Sequence, residues 1–163
     1  MPGVLIISRD WQTRALLRAQ LIEDGCDVRA FVSPDQAKAA LARIERSKRE
    51  IQNSKIQDSK TQHARIQNSI VSRGSIFAPG LVIADVSGVS DRGEIEQLAS
   101  LIRSLPAAVP LWVIASRGEP GQESIELLKE AHLEKVLFRP IDGGELVGRI
   151  KGRIRDQGPG TKG

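Results

Sequence analysis

The sequence predicts an α/β domain built on a doubly wound, five-stranded parallel sheet, and three observations carry that expectation. Five short β-prone apolar runs recur along the chain, at 4–7, 28–32, 81–84, 111–115 and 135–138. Their hydrophobicity is nearly continuous rather than alternating, which implies strands buried on both faces. Between the runs lie stretches with helical spacing of apolar residues, so strand and helix alternate five times. Such alternation requires right-handed crossovers with helices on both sides of the sheet.

Taken in order, the first strand leads into a helix that ends near Gly25. Cys26, the only cysteine, follows it and reads as a packing residue that can form no internal disulfide. The second helix has a marked start: Ser33 can act as N-cap, Pro34 suits the first helical position, and Gln36 completes a capping box. Its apolar residues Ala37, Ala40, Leu41 and Ile44 fall on one face, as do Ile95, Leu98, Ala99 and Ile102 in the next helix. Leu146, Val147, Ile150 and Ile154 form the stripe of the last helix. The arrangement expected is flavodoxin-like, strand order 2-1-3-4-5, with an insertion between helix 2 and strand 3.

That insertion, 47–77, breaks the pattern. Residues 51–70 read IQNSK, IQDSK, TQHAR, IQNSI, a degenerate five-residue repeat. A period of five matches neither helix nor strand, so its isoleucines cannot present one face to a core. It is expected to be a surface feature that prolongs the second helix and is otherwise mobile, with His63 a solvated side chain rather than a metal ligand.

Length and composition exclude several classes. At 163 residues and 40% hydrophobic content the chain can bury one sizeable core. No apolar run approaches the roughly 20 residues that span a bilayer, and no secretory signal opens the chain, so a cytoplasmic protein is expected. The formal charge is +4, but 43–75 contributes +5 and 149–163 another +4, leaving −5 for the rest. Basic character confined to an insertion and a tail reads as solvated surface, and with three Phe, two Trp and no Tyr there is little to stack on bases, so nucleic-acid binding is not expected. Trp112 reads as packing. No Ser-His-acid set stands in plausible context, His132 lies in a helix-to-strand connection, and no Gly-rich phosphate loop follows a strand, so an independent hydrolase is not expected.

In doubly wound sheets ligands sit at the carboxyl ends of the strands. That rule selects Ser8, Arg9 and Asp10 after the first strand, Asp85 after the third, Ala115 and Ser116 after the fourth, and Arg139 after the fifth. Three stretches at these places carry a family resemblance: VLIISRDWQTRALLRAQL from Val4, LVIADVSG from Leu81, and PLWVIAS from Pro110 followed by KVLFRPI from Lys135. Together and in order they resemble the receiver domain of bacterial two-component response regulators, over residues 1–155 apart from the insertion, with 156–163 left as a flexible tail. The resemblance places Asp85 at the phosphate-accepting aspartate. It implies acidic residues after the first strand that help hold Mg²⁺, a lysine that contacts the phosphate, and a mobile Ser or Thr hydroxyl. Phosphoryl transfer needs that set because it is governed by positioning and charge neutralisation.

Most of the set is replaced. Ser8 and Arg9 stand at the acidic pair with Asp10 the one carboxylate left in that loop, Ala115 stands at the hydroxyl, Arg139 at the lysine, and Val136 where a switching aromatic is usual. Ser116 lies one residue beyond the hydroxyl position, and a one-residue shift on a strand turns a side chain to the other face. Asp10 and Asp85 are offset by Arg9 and Arg139, so the charges balance without a metal. A Mg²⁺ about 4 Å from the Arg9 guanidinium would be repelled by about 8 kcal/mol at an effective dielectric of about 20. Arg9 is therefore expected to take the place of the cation and pair with Asp85, with Trp11 beside the pocket; the bland alternative turns Arg9 out to solvent.

The function expected from this pattern is a stand-alone, degenerate receiver-like signalling module. It would act without catalysis, cofactor or metal, through protein partners such as a histidine kinase or an output protein. The face made by the fourth strand, fourth helix, fifth strand and fifth helix would bind them. With only DQGPGTKG after Arg155, any output is expected to pass through association. Two other readings stand beside it. One is a phosphorylatable single-domain response regulator that accepts phosphate on Asp85, with Mg²⁺ held by Asp10 and Asp85. The other is a polyanion-binding adaptor using Arg149, Lys151, Arg153 and Arg155 with the insertion.

Overall fold

The computed structural model describes residues 2–57, 77–89, 91–105, 108–119 and 121–156, with 51–57 described in backbone only. The elements run β1 (Gly3–Ile7), α1 (Trp11–Glu23), β2 (Asp27–Phe31), α2 (Pro34–Gln57), β3 (Pro79–Asp85), α3 (Arg92–Ser104), β4 (Leu111–Ala115), α4 (Gln122–Lys129), β5 (Leu133–Phe138) and α5 (Gly143–Asp156). The five strands form one sheet in the order β2-β1-β3-β4-β5, every pairing parallel. This is the order read from the sequence.

The period-2 alternation of the strands divides the core in two. Leu5, Ile7, Val82, Ala84 and Val113 pack on one side of the sheet against Ala37 of α2, Ile95, Leu98 and Ile102 of α3, and Leu128 of α4. Val4, Ile6, Leu81, Ile83, Trp112 and Ile114 pack on the other against Leu17 and Leu21 of α1 and Leu146, Val147 and Ile150 of α5. Both faces of β1, β3 and β4 are thus covered, which is why their sequences read as unbroken apolar runs. Cys26 belongs to the second cluster and is buried, and burial pushes its thiol pKa up, so it packs as the sequence suggested. At Gly3, where the chain edge passes close to the Ala78 carbonyl, an added Cβ would lie 2.3 Å from that oxygen.

The helix starts follow short polar side chains. The Gln36 amide donates to Ser33 Oγ at 3.3 Å ahead of Pro34, the Gly93 amide donates to Asp91 Oδ1 at 2.8 Å, and the Glu145 amide donates to Asp142 Oδ2 at 3.0 Å. Helix α2 does not stop where its apolar stripe ends. Among the residues whose side chains are described, Ile44 is its last apolar residue packed on the core, yet the helix continues through Gln57, about 36 Å in all. No Gly or Pro occurs from 35 to 73, and the Lys, Arg, Glu and Gln that follow Ile44 are good helix formers. The insertion therefore begins as a prolongation of α2; the expectation for its remainder, including His63, lies outside the described residues.

Trp112 is buried, and its indole N–H would be stranded without a partner. It donates to Glu134 Oε2 at 2.8 Å on the edge strand β5, and Arg153 of α5 grips the same carboxylate through Nε at 2.7 Å and Nη2 at 2.9 Å. Lys135 lies 4.8 Å over the Trp112 ring. The Arg153 hydrogen bonds, and then that from Trp112, hold the Glu134 carboxyl below its ordinary value of 4.5. A carboxylate with a depressed folded-state pKa contributes stability above its unfolded value and loses it as pH falls through the folded one. Glu134→Gln is therefore expected to cost about 1 kcal/mol at neutral pH, allowing for solvent screening of a part-exposed pair. In urea titrations the difference from wild type should shrink as the pH drops below 4.5; a difference independent of pH would remove the charge from this account.

Candidate functional site

The β3 strand ends at Asp85, whose side chain is only 6% exposed. A carboxylate so buried needs compensation, and three groups supply it. Ser87 N–H donates to Oδ1 at 2.9 Å, the local turn that an Asp two residues before a Ser commonly makes. Ser8 Oγ donates to Oδ2 at 3.3 Å from the end of β1. Arg139, just past β5, places Nη2 in direct contact with the same oxygen, a charge-assisted hydrogen bond and ion pair.

Arg139 is itself held on two further sides. Its Nε donates to Ser87 Oγ at 2.9 Å and its Nη2 to Thr13 Oγ1 at 3.3 Å. Thr13 donates in turn to Asp10 Oδ2 at 2.6 Å, while the Gln12 amide donates to Asp10 Oδ1 at 3.2 Å. Asp10 is thus the N-cap of α1, and the Thr13 hydrogen bond, opposed by desolvation and assisted by the backbone amides and the Arg139 charge, holds its carboxyl below the usual 3.8. The loop is braced from below by Arg14, whose Nη1 donates to the Ser8 carbonyl at 2.6 Å, and by the Asp10 amide on Ser8 Oγ at 3.1 Å.

Of the residues selected from the sequence, Ser8, Asp10, Asp85 and Arg139 meet in this one network. Arg9 does not. It was expected to pair with Asp85; instead its guanidinium pairs with Glu94 in the first turn of α3, and its side chain is 62% exposed. The reason is geometric: adjacent residues at a strand end project to opposite sides, and Ser8 already takes the inward direction. The cation on Asp85 is Arg139. Trp11 also departs from expectation, because it lines an open groove between α1 and the edge strand β2 and is 65% exposed.

Ala115 is fully buried in the cluster beneath α3 and α4 and offers no hydroxyl. Ser116 is half-buried past the end of β4, and the hydrogen bonds of Asp85 come from Ser8, Ser87 and Arg139 rather than from it. Val136 is partly buried against the same cluster as Ala115. The sequence reading missed Ser87, Thr13, Arg14 and Glu94. The spacing Asp85-x-Ser87 and the run Asp10-x-x-Thr13 at a helix start were available signals for two of them.

Further ion pairs tie the loops around the site. Arg92 at the start of α3 reaches Glu123 of α4 at 2.9 Å, and the Gly88 amide donates to Glu119 at 3.2 Å. Among the described residues no group of three or more His, Cys, Asp or Glu is placed to hold a metal ion, and no helix is long and apolar enough to cross a membrane. Three of the four basic residues of α5 proposed for polyanions have acid partners: Arg149 with Glu145, Lys151 with Asp24, and Arg153 with Glu134.

The sheet order, the helices on both faces and an aspartate at the end of β3 define the fold of CheY-like response regulator receiver domains. Solved structures agree. The chain is similar to a CheY-like receiver domain protein from Methanospirillum hungatei, with TM-score 0.61, 15% identity and 96% of each chain covered. It is similar also to a CheY-like response regulator from Mesorhizobium loti, with TM-score 0.55, 20% identity, and 93% of this chain and 97% of that one covered. A third is the signal receiver domain of a modulated diguanylate cyclase from Desulfovibrio desulfuricans, with TM-score 0.55, 20% identity and 96% of each chain covered. No protein-family model and no curated protein matches the chain.

The unequal exposure of the central pair sets an asymmetry that can be measured. Arg139→Ala strands a buried carboxylate and is expected to cost about 2 to 3 kcal/mol, somewhat under a fully buried pair because water reaches the arginine side. Asp85→Asn leaves a part-exposed guanidinium that can turn to solvent, at a cost of about 1 kcal/mol or less. Chemical denaturation of the two variants should give that order, and the reverse order would remove Asp85 as the group that demands the pairing.

Proposed function

We propose that this chain is a receiver-like signalling module of the cytoplasm that acts by binding other proteins, such as a histidine kinase or an output protein, and not by Mg²⁺-dependent phosphorylation. It is not an enzyme in this reading. The observation that carries it is the Arg139 guanidinium seated on Asp85, with both carboxylate oxygens already hydrogen-bonded.

The donor set does not fit Mg²⁺. That ion needs oxygen ligands at near-octahedral geometry and is usually held by carboxylates. Ser8 stands at one acidic position, Arg9 at the other and points to Glu94, and the Asp10 carboxylate is engaged at the α1 N-terminus. The buried carboxylate of Asp85 faces a fixed cation. A basic residue at this place is itself part of the set that the resemblance implies, so the case against Mg²⁺ rests on the missing acidic pair, which leaves the Arg139 charge on Asp85 unopposed by a second pocket carboxylate. Phosphorylation would require breaking that pair without a metal to neutralise the incoming oxygens.

Titration with beryllofluoride in the presence of millimolar Mg²⁺, followed by amide NMR, tests this directly. Resonances of Ser8, Asp85 and Ser87 are expected to stay in place in wild type. A variant combining Ser8→Asp, Arg9→Asp and Arg139→Lys is expected to gain Mg²⁺ binding with a Kd of about 1 mM, about 4 kcal/mol. Capture of beryllofluoride by the wild type, lost in Asp85→Asn, would sink the proposal in favour of a phosphorylatable regulator.

A further inference from the structure

Strand β2 lies at the edge of the sheet. The Asp27 amide and the Phe31 carbonyl both face β1, bonded to Pro2 and Ser8 at 2.9 and 3.0 Å. In a parallel ladder the direction of the backbone groups alternates along the strand, so the N–H and C=O of Val28 and Ala30 point away from the sheet. Among the described residues nothing pairs with them. Edge strands of this kind are templates for another chain unless they are blunted.

Alongside the edge runs the open groove of about 880 Å³ between β2 and α1. Trp11, Arg14, Arg18 and Ile22 line it, spaced i, i+3, i+7, i+11 on one face of α1 and spanning about 17 Å of helix. Trp11 and Ile22 are 65% and 45% exposed, so an apolar residue stands at each end of the groove. Its charge is positive: Arg29 on the strand is engaged with Asp27 at 3.7 Å, which leaves Arg14 and Arg18 as the excess. Arg18 is exposed and makes no ion pair among the described residues.

We infer that this groove is a docking surface for an extended acidic segment of a partner protein, which adds to the sheet as a sixth strand beside β2. The backbone of Val28 and Ala30 supplies the main-chain hydrogen bonds. Arg14 and Arg18 meet carboxylates on the side of the segment that faces α1, and Trp11 and Ile22 cover apolar side chains at its two ends. This is strand addition, in which backbone pairing gives affinity and flanking side chains give selectivity. The length of β2, five residues, admits a segment of about five to seven residues. The inference rests on the reading that the chain acts by association, and names the surface and the chemistry of what it binds.

The test uses the full chain and a blocked peptide of about seven residues alternating valine and glutamate. Amide NMR is expected to show saturable shifts at Val28 and Ala30, with reduced acrylamide quenching of the exposed Trp11. Arg18→Glu should weaken binding about tenfold or more. Ala30→Pro, which removes an outward N–H where an edge strand tolerates proline, should abolish it while circular dichroism stays native. A peptide N-methylated at alternate residues should fail to bind. No binding of the valine-glutamate peptide would overturn the inference, as would equal binding of a valine-lysine counterpart, or shifts centred on β5 or Arg139. Self-association of the chain alone, lost in Trp11→Ala, would assign the groove to a second copy instead and overturn it too. None of these results depends on whether beryllofluoride is captured at Asp85, so the two proposals fail separately.

Discussion

A carboxylate buried at the end of the central strand must be neutralised, and that constraint organises everything at this end of the molecule. Asp85 is fixed there by β3, which is packed on both faces and cannot move it outward without disrupting two core clusters. The available solutions are protonation, a metal or a fixed cation. The chain uses Arg139, delivered by the turn between β5 and α5. A guanidinium suits the task because its planar fork bonds several acceptors at once, and here Asp85, Ser87 and Thr13 all accept from it.

The rest of the network follows from placing that cation. Ser87 and Thr13 hold Arg139 in position, and Thr13 can do so because Asp10 accepts its hydroxyl proton. Asp10 then serves the first helix rather than the pocket. Ser8 is small and neutral, so it fills the space beside Asp85 without adding a second negative charge that Arg139 would have to balance. Arg9, freed from the pocket, crosses to Glu94 and ties the first loop to α3. Exposed pairs of this kind contribute little to stability singly. Together with Arg92–Glu123 and Glu119 on the Gly88 amide, this one fixes how the loops at the sheet's edge sit relative to one another.

How much of this was legible in the sequence depended on how local the cause was. β1, β3 and β4 were legible because parallel strands buried on both faces leave unbroken apolar runs, whereas the edge strands β2 and β5 are only partly buried and carry Asp27, Arg29, Glu134 and Lys135; the α2 start was legible because Ser33-Pro34 is a local signal. The position of Asp85 followed from the rule about strand ends. The direction of Arg9 did not, since a long exposed side chain takes whichever acid the tertiary structure brings near, and Glu94 is 85 residues away. In the sequence Asp10 reads equally as a pocket acid, because its capping role and its place in the loop use the same residue. The extent of α2 was blurred for another reason: a five-residue repeat says nothing about a core face, while the propensity of its Lys, Gln and Glu residues is enough to continue a helix already begun.

A receiver fold whose pocket is closed by its own arginine can still report a signal, but only by a restricted route. A bound partner changes the population of conformations solely through its differential affinity for them, and moving an equilibrium from one extreme to the other takes about 5.5 kcal/mol of such difference. Opening the Asp85–Arg139 pair leaves a carboxylate buried without compensation, so the open state is costly and sparsely populated. A partner that touches only exposed loops, whose ion pairs are individually weak, cannot supply a difference of that size. One that adds a strand and binds the closed domain as it stands needs no such difference. In the function proposed above, the closed pocket suits a module recognised in one state, with the information carried by whether it is bound rather than by which shape it adopts.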